Sequence, residues 1–246
     1  MDLIPTWDIG KEKIILALQR AQIASLQDQI IILEEAVLEV NPSMSSDPSE
    51  ELGQFLCKMA NCYNQLALQK LRDGDSDEAL RSLDKAEAVL RSRNVPKTRK
   101  WLVQAETSSN RSYVYKCIGS PITALFHLRK ALHTETRLLH SGLYAGDHDS
   151  ISTLLSICAV QSELGRHSDA VRSAQAAIKQ LKRLCKGDDP RSAGAWYNLG
   201  VEYEHLRAPC KARDAFSKAL ELSQAISGPD HALSLTIKVA LAEYHK

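Results

Sequence analysis

Alanines 79, 124, 170 and 212 recur at steps of 45, 46 and 42 residues, and each opens the same short pattern. A packing residue follows at i+4 (Leu83, Leu128, Ala174, Phe216) and a further alanine at i+7 (Ala86, Ala131, Ala177, Ala219). Three turn marks, "AGDH", "KGDDP" and "SGPDH", set Gly146, Gly187 and Gly228 at intervals of 41. Self-similarity at such a period restricts a chain of 246 residues to an array of small, similar units.

The pattern has a physical content. The i, i+4, i+7 spacing lies on one face of a helix of 3.6 residues per turn. Upstream of the last alanine set, Trp196, Leu199 and Tyr203 form a second helical face with the small residue Gly200 inside it. Ala67, Ser112 and Cys158 hold the equivalent place in the earlier units. A small residue lets an antiparallel second helix approach, and that helix answers with small, large, small at Ala212, Phe216 and Ala219. One such hairpin cannot bury its own apolar face, so it must stack on neighbours.

Residues 196–219, with Trp196, Leu199, Gly200, Tyr203, Ala212, Phe216 and Ala219, resemble the tetratricopeptide repeat signature. The other three units match it at fewer positions. The G-P-D-H marks are similar to the extended repeats of kinesin light chains. The resemblance covers about residues 52–246. It implies an all-α, right-handed α-solenoid of antiparallel helical hairpins: about four hairpins and a final single helix over 49–246, behind an N-terminal region at 1–48. Two departures stand out. "RAPC" (207–210) replaces the usual glycine-containing turn, and the first two units lack the G-x-D-H mark.

Local signals set expected helix starts. Asp47, Pro48 and Glu50 read as a capping box with proline in the first turn, and Asp75 with Glu78 repeats the box. Ser120-Pro121 and Asp189-Pro190 open two more helices in the same way. Residues 232–246 form a first helix without its partner. Val239, Leu241 and Tyr244 make a poor polar outer face, so the expected reading is a chain continuing in a longer protein, with a solvating cap as the alternative.

Residues 11–40 read as one long N-terminal helix. Ile23, Leu26, Ile30, Leu33, Val37 and Val40 step by threes and fours, a seam of under three heptads. Ala24, Ile31 and Leu38 widen the stripe, which favours a cap on the first repeat. A homodimer contact and an interface with another protein stay open. Residues 41–51 link this segment to the array.

Residues 1–55 hold 3 Lys/Arg against 10 Asp/Glu, a net of −7, on a body of net +8. No apolar run approaches the roughly 18 residues of a membrane span, and the acidic start does not read as a signal peptide. The six cysteines (57, 62, 117, 158, 185, 210) form no C-x-x-C pair and sit near no His pair at zinc spacing. They read as reduced, small apolar residues in a cytoplasmic protein; the kinesin-light-chain likeness implies a cytoskeletal or ciliary setting.

No phosphate-binding glycine loop, G-x-S-x-G, H-E-x-x-H or calcium loop is present. The eight histidines stand singly, with His148 and His231 in turn marks. The reading is a non-enzymatic chain with no cofactor and no metal. The basic run "RSRNVPKTRKW" (91–101) reads as a solvated loop or as a patch for an acidic surface. Trp101 is its lone aromatic, which argues against nucleic acid.

What the resemblance implies about function is a concave groove lined by the first helix of each hairpin, taking an extended peptide of a protein partner. Carried onto this sequence, its residues are Asn110, Tyr113 and Lys116; Leu155, Ser156, Ala159 and Glu163; and Tyr197, Asn198, Val201, Glu204 and His205. Asn198 matches an asparagine that related repeats use to hold a peptide backbone, and an amide offers both donor and acceptor. Asn110 and Asn198 could equally cap or solvate their helices. The groove reads as mixed in charge, Lys116 and His205 set against Glu163 and Glu204. It has no paired-lysine, paired-arginine clamp for a terminal carboxylate. The alternatives are a structural subunit that self-associates through residues 11–40 and an adaptor using the 91–101 run.

Overall fold

A computed structural model describes residues 6–39, 50–142, 150–184 and 189–245. Every regular element among them is helical: α1 (Thr6–Ile23), α2 (Leu26–Glu39), α3 (Glu50–Arg72), α4 (Ser76–Leu90), α5 (Lys97–Cys117), α6 (Pro121–Ser141), α7 (Ser150–Glu163), α8 (His167–Leu184), α9 (Arg191–His205), α10 (Pro209–Ser227) and α11 (Ala232–Ala242), followed by a 3-10 turn at Glu243–His245. The chain forms two compact units. Residues 1–120 and 133–145 make the first, and residues 121–132 and 146–246 the second.

Consecutive helices pair as hairpins: α3 with α4, α7 with α8, α9 with α10. Each hairpin turns at the same point, seven residues past the small position. Gly74, Gly119, Gly165 and Arg207 all have positive φ, of 85°, 79°, 68° and 54°. The left-handed conformation lets the next amide reach back five residues, Asp75 to Lys70, Ser120 to Tyr115, Arg166 to Gln161 and Ala208 to Tyr203. That is the helix-ending arrangement in which glycine is preferred. In "RAPC", an arginine takes the glycine's backbone conformation, so the turn survives with strain.

Helix starts follow the local signals where they are described. Asp75 accepts the Glu78 amide at 2.9 Å to open α4, and Pro121 stands in the first turn of α6. Asp189 accepts the Arg191 amide at 2.8 Å and holds its guanidinium at 2.6 and 2.9 Å. The cap at Asp47 and Pro48, the marks around Gly146, His148 and Gly187, Val40 and Cys185 lie outside the described residues.

The N-terminal region departs from the expected single helix. Ser25 caps a new one: its hydroxyl accepts the Asp28 amide at 3.3 Å and donates to the Asp28 carboxylate at 2.7 Å. The apolar seam runs through residues 24–25 in the sequence, but the cap breaks it there, and α1 and α2 form a hairpin. Ile23, at the break, is 92% exposed. Ile30 and Leu33 are buried with Ile14, Ala21, Phe55 and Tyr63, and Leu26 packs partly against that cluster. Val37 is exposed.

Three clusters make the described core of the second unit, the first being Leu125, Leu128, Ile157 and Val160 of α6 and α7. Ile151, Cys158, Ala174, Ala195 and Leu199 join α7, α8 and α9. Ala212, Phe216, Ala219 and Ile237 join α10 to α11. Ile237 is fully buried while Val239 is 69% exposed, so α11 covers the last hairpin with one face and leaves the other open.

Candidate functional site

In the second unit the first helices of the hairpins are α7 and α9, and their packing explains which side chains are left for binding. A Cβ at Gly200 would lie 2.5 Å from the Phe216 ring, so α9 meets α10 at that point with no room for a methyl group. Tyr197 and Val201, beside it, pack on the Phe216 cluster, with the Tyr197 and Phe216 ring centres 5.7 Å apart. These two proposed groove residues are therefore half-buried, presenting an edge rather than a full face.

Asn198 lies between them, also half-buried, and its amide makes no hydrogen bond among the described residues. On α7 the equivalent position is Ser156, exposed along with Ala159 and Glu163, while Leu155 is half-buried. The α9 ridge thus carries an unspent donor and acceptor amid apolar edges. Glu204 and His205 have partners of their own. Tyr244 donates to the Glu204 carboxylate at 2.6 Å, and its phenol is held above the usual range by desolvation, then by that carboxylate. His205 stacks on His167 with ring centres 4.1 Å apart, and His167 Nδ1 lies 2.9 Å from the buried Glu202 carboxylate. Both side chains are thus held by contacts within the protein.

In the first unit, Tyr113 is 55% exposed and Lys116 exposed on α5. Asn110 is half-buried, and its Nδ2 is enclosed without a hydrogen-bond partner. Two residues that the sequence pattern did not single out stand on α3. Asn64 is fully buried with neither amide atom paired, and Asn61 has an enclosed, unpaired Oδ1. Their signal was available: Asn64 precedes the small Ala67 by three, as Tyr197 precedes Gly200. Arg111, at the position held by Leu199 in the last hairpin, is also buried, and it pairs with Asp84 at 2.7 Å.

Three of the described thiols are held protonated. Burial raises Cys57 and Cys62, and burial with the nearby Glu202 charge pushes Cys158 up to about 12. The 91–101 run is anchored, with Val95 buried in the α3 core, Arg99 3.8 Å from Glu50, and Trp101 under Arg137 at 4.5 Å. Its one aromatic ring is already occupied. Among the described residues no group of three His, Cys, Asp or Glu could hold a metal, and no helix is long and apolar enough to cross a membrane.

The hairpins, their shared left-handed turn and the small residues between paired helices define a helical-repeat fold of the tetratricopeptide type. It is similar to BtubC (BKLC) from P. vanneervenii, with 19% identity, 90% of this chain and 84% of that one covered, and a TM-score of 0.66. It is also similar to kinesin-light-chain-type TPR-like repeats from Podosopora anserina (12% identity, 91% and 99% covered, TM-score 0.53). YrrB, a TPR protein with an unusual peptide-binding site, aligns at 18% identity over 92% and 90% with a TM-score of 0.54. The sequence matches no family model and no curated protein.

Proposed function

We propose that this chain is a non-enzymatic protein-interaction scaffold that holds an extended peptide segment of a partner along α7 and α9. The observation that carries the reading is Asn198, half-buried beside Val201 on α9, whose amide has no hydrogen bond among the described residues. An extended peptide presents one N–H and one C=O per residue, and a carboxamide satisfies both. The apolar edges of Leu155, Tyr197 and Val201 would take its side chains, and Ser156 and Ala159 leave room for its backbone. Asn110 holds the same register position on α5, where its Nδ2 is enclosed. The likeness in fold to YrrB supports a peptide as the ligand. The setting that goes with this proposal is cytoplasmic, at the cytoskeleton or the cilium.

The test is to select binding peptides from a random displayed library on the whole chain, then map protected backbone amides by hydrogen exchange. Protection centred on α7 and α9 supports the reading. Protection confined to α1, α2 or residues 91–101 would move binding elsewhere. A second reading, self-association, is favoured by Ile31 and Leu38, exposed on α2 at 47% and 84%, and by Ile23 at the end of α1, at 92%. A mass that rises with protein concentration would support it.

A further inference from the structure

A pocket of about 280 Å³ lies where α6, α7 and α8 meet in the second unit. It is separate from the peptide face. Leu154 and Gln161 of α7 line it, two residues from Ser156 and Glu163, and two residues turn about 200° around a helix. We propose that this pocket binds a single oxyanion, a carboxylate or a phosphate group, held between Arg129 and Arg172 and oriented by the Gln161 amide.

The wall chemistry selects the ligand. Arg129 is exposed on α6 and has no hydrogen-bond or ion-pair partner among the described residues. A guanidinium offers five N–H donors in a planar fork that fits a carboxylate or phosphate. Arg172 is paired with Asp169 one turn earlier on α8, which fixes its position and leaves donors over. Two guanidinium groups against one carboxylate leave the rim with one net positive charge.

Gln161 supplies the second, independent feature. It is 5% exposed, and its Oε1 accepts the Ser173 hydroxyl at 2.7 Å. That bond fixes the amide, and its NH₂ end, with no partner among the described residues, stays available in a pocket that the side chain lines. The NH₂ group is not enclosed, so it reaches the pocket's solvent and can donate to an anion that displaces that water. Leu154 and Ala176 supply apolar lining beneath the polar rim. The volume suits one headgroup, either a free ion or an acidic side chain presented by another molecule.

The experiment is an NMR titration of the whole chain, following the Gln161 side-chain amide and the Arg129 Nε–H. Sodium phosphate is one arm, N-acetylglutamate a second, and sodium chloride at matched ionic strength the control. The expected result is a saturable shift at both groups with phosphate or N-acetylglutamate, at least about 10-fold weaker in Arg129→Gln, since a charge-assisted pair is lost. The arm that saturates at lower concentration identifies the chemistry. Arg129 is solvent-exposed, so that variant keeps its fold, and Gln161→Met provides a second loss of affinity without a change of charge. Shifts that follow ionic strength alone, or saturation unchanged in Arg129→Gln, would overturn the proposal.

Discussion

Gly200 and Phe216 meet so closely that a methyl group on the glycine would stand 2.5 Å from the ring edge. Gly200→Ala should therefore destabilise the second unit by about 1–3 kcal/mol, despite alanine's better helix propensity. Gly194, on the same helix, is the internal control, since a methyl group there would meet nothing within 4 Å. Gly194→Ala should stabilise by about 1 kcal/mol. Urea unfolding of both variants checks the pair.

Arg207 holds φ at 54° where the other three turns have glycine. Arg207→Gly relieves left-handed strain of about 1–2 kcal/mol and gives back part of it as unfolded-chain entropy. A net gain of about 0.5–1 kcal/mol is expected in the same assay.

Cys158 should be the slowest of the described thiols to alkylate. Its pKa is raised from 9.0 to about 12, by burial first and by Glu202 second, so the folded state holds the proton. Stability gained by keeping that thiol neutral is full below about pH 9 and lost as pH rises from 9 through 12. At pH 8 the thiolate fraction is about a thousandfold below that of an unperturbed cysteine. Cys117 and Cys210 are exposed and should react first with iodoacetamide, as peptide mass mapping would record.

The N-terminal hairpin gives a sharp contrast between neighbouring seam positions. Leu33 is fully buried and Ile23 is 92% exposed. Leu33→Ala should cost about 2–5 kcal/mol, and Ile23→Ser should stay within about 0.5 kcal/mol. Equal effects would restore the continuous helix, because a single seam buries both.

The hairpins were legible because their determinants are local and recur. Gly74, Gly119 and Gly165 each stand seven residues past a small residue, and Asp75 and Pro121 stand at helix starts. The break at residues 24–25 was legible too, in Ser25 and Asp28, but an apolar seam with the right steps masked a weaker capping signal. The site was legible only in part. Periodicity puts Tyr197 and Val201 on a helix face, yet it cannot say that Phe216, more than a dozen residues on, draws them inward. The stacking of His205 on His167 and the grip of Tyr244 on Glu204 join residues 38 and 40 apart, beyond any local pattern. Asn64 escaped notice because the groove positions map most clearly onto the later units.

The central claim is that the Asn198 amide holds a bound peptide backbone. Its most direct test is calorimetric affinity for one library-selected peptide, measured on the native chain and on Asn198→Ala. The account predicts binding weaker by about 10-fold in the variant, the loss of one or two hydrogen bonds in a half-buried site, with thermal stability unchanged. Equal affinity in the two proteins would contradict it, and the α9 ridge would then be packing surface alone.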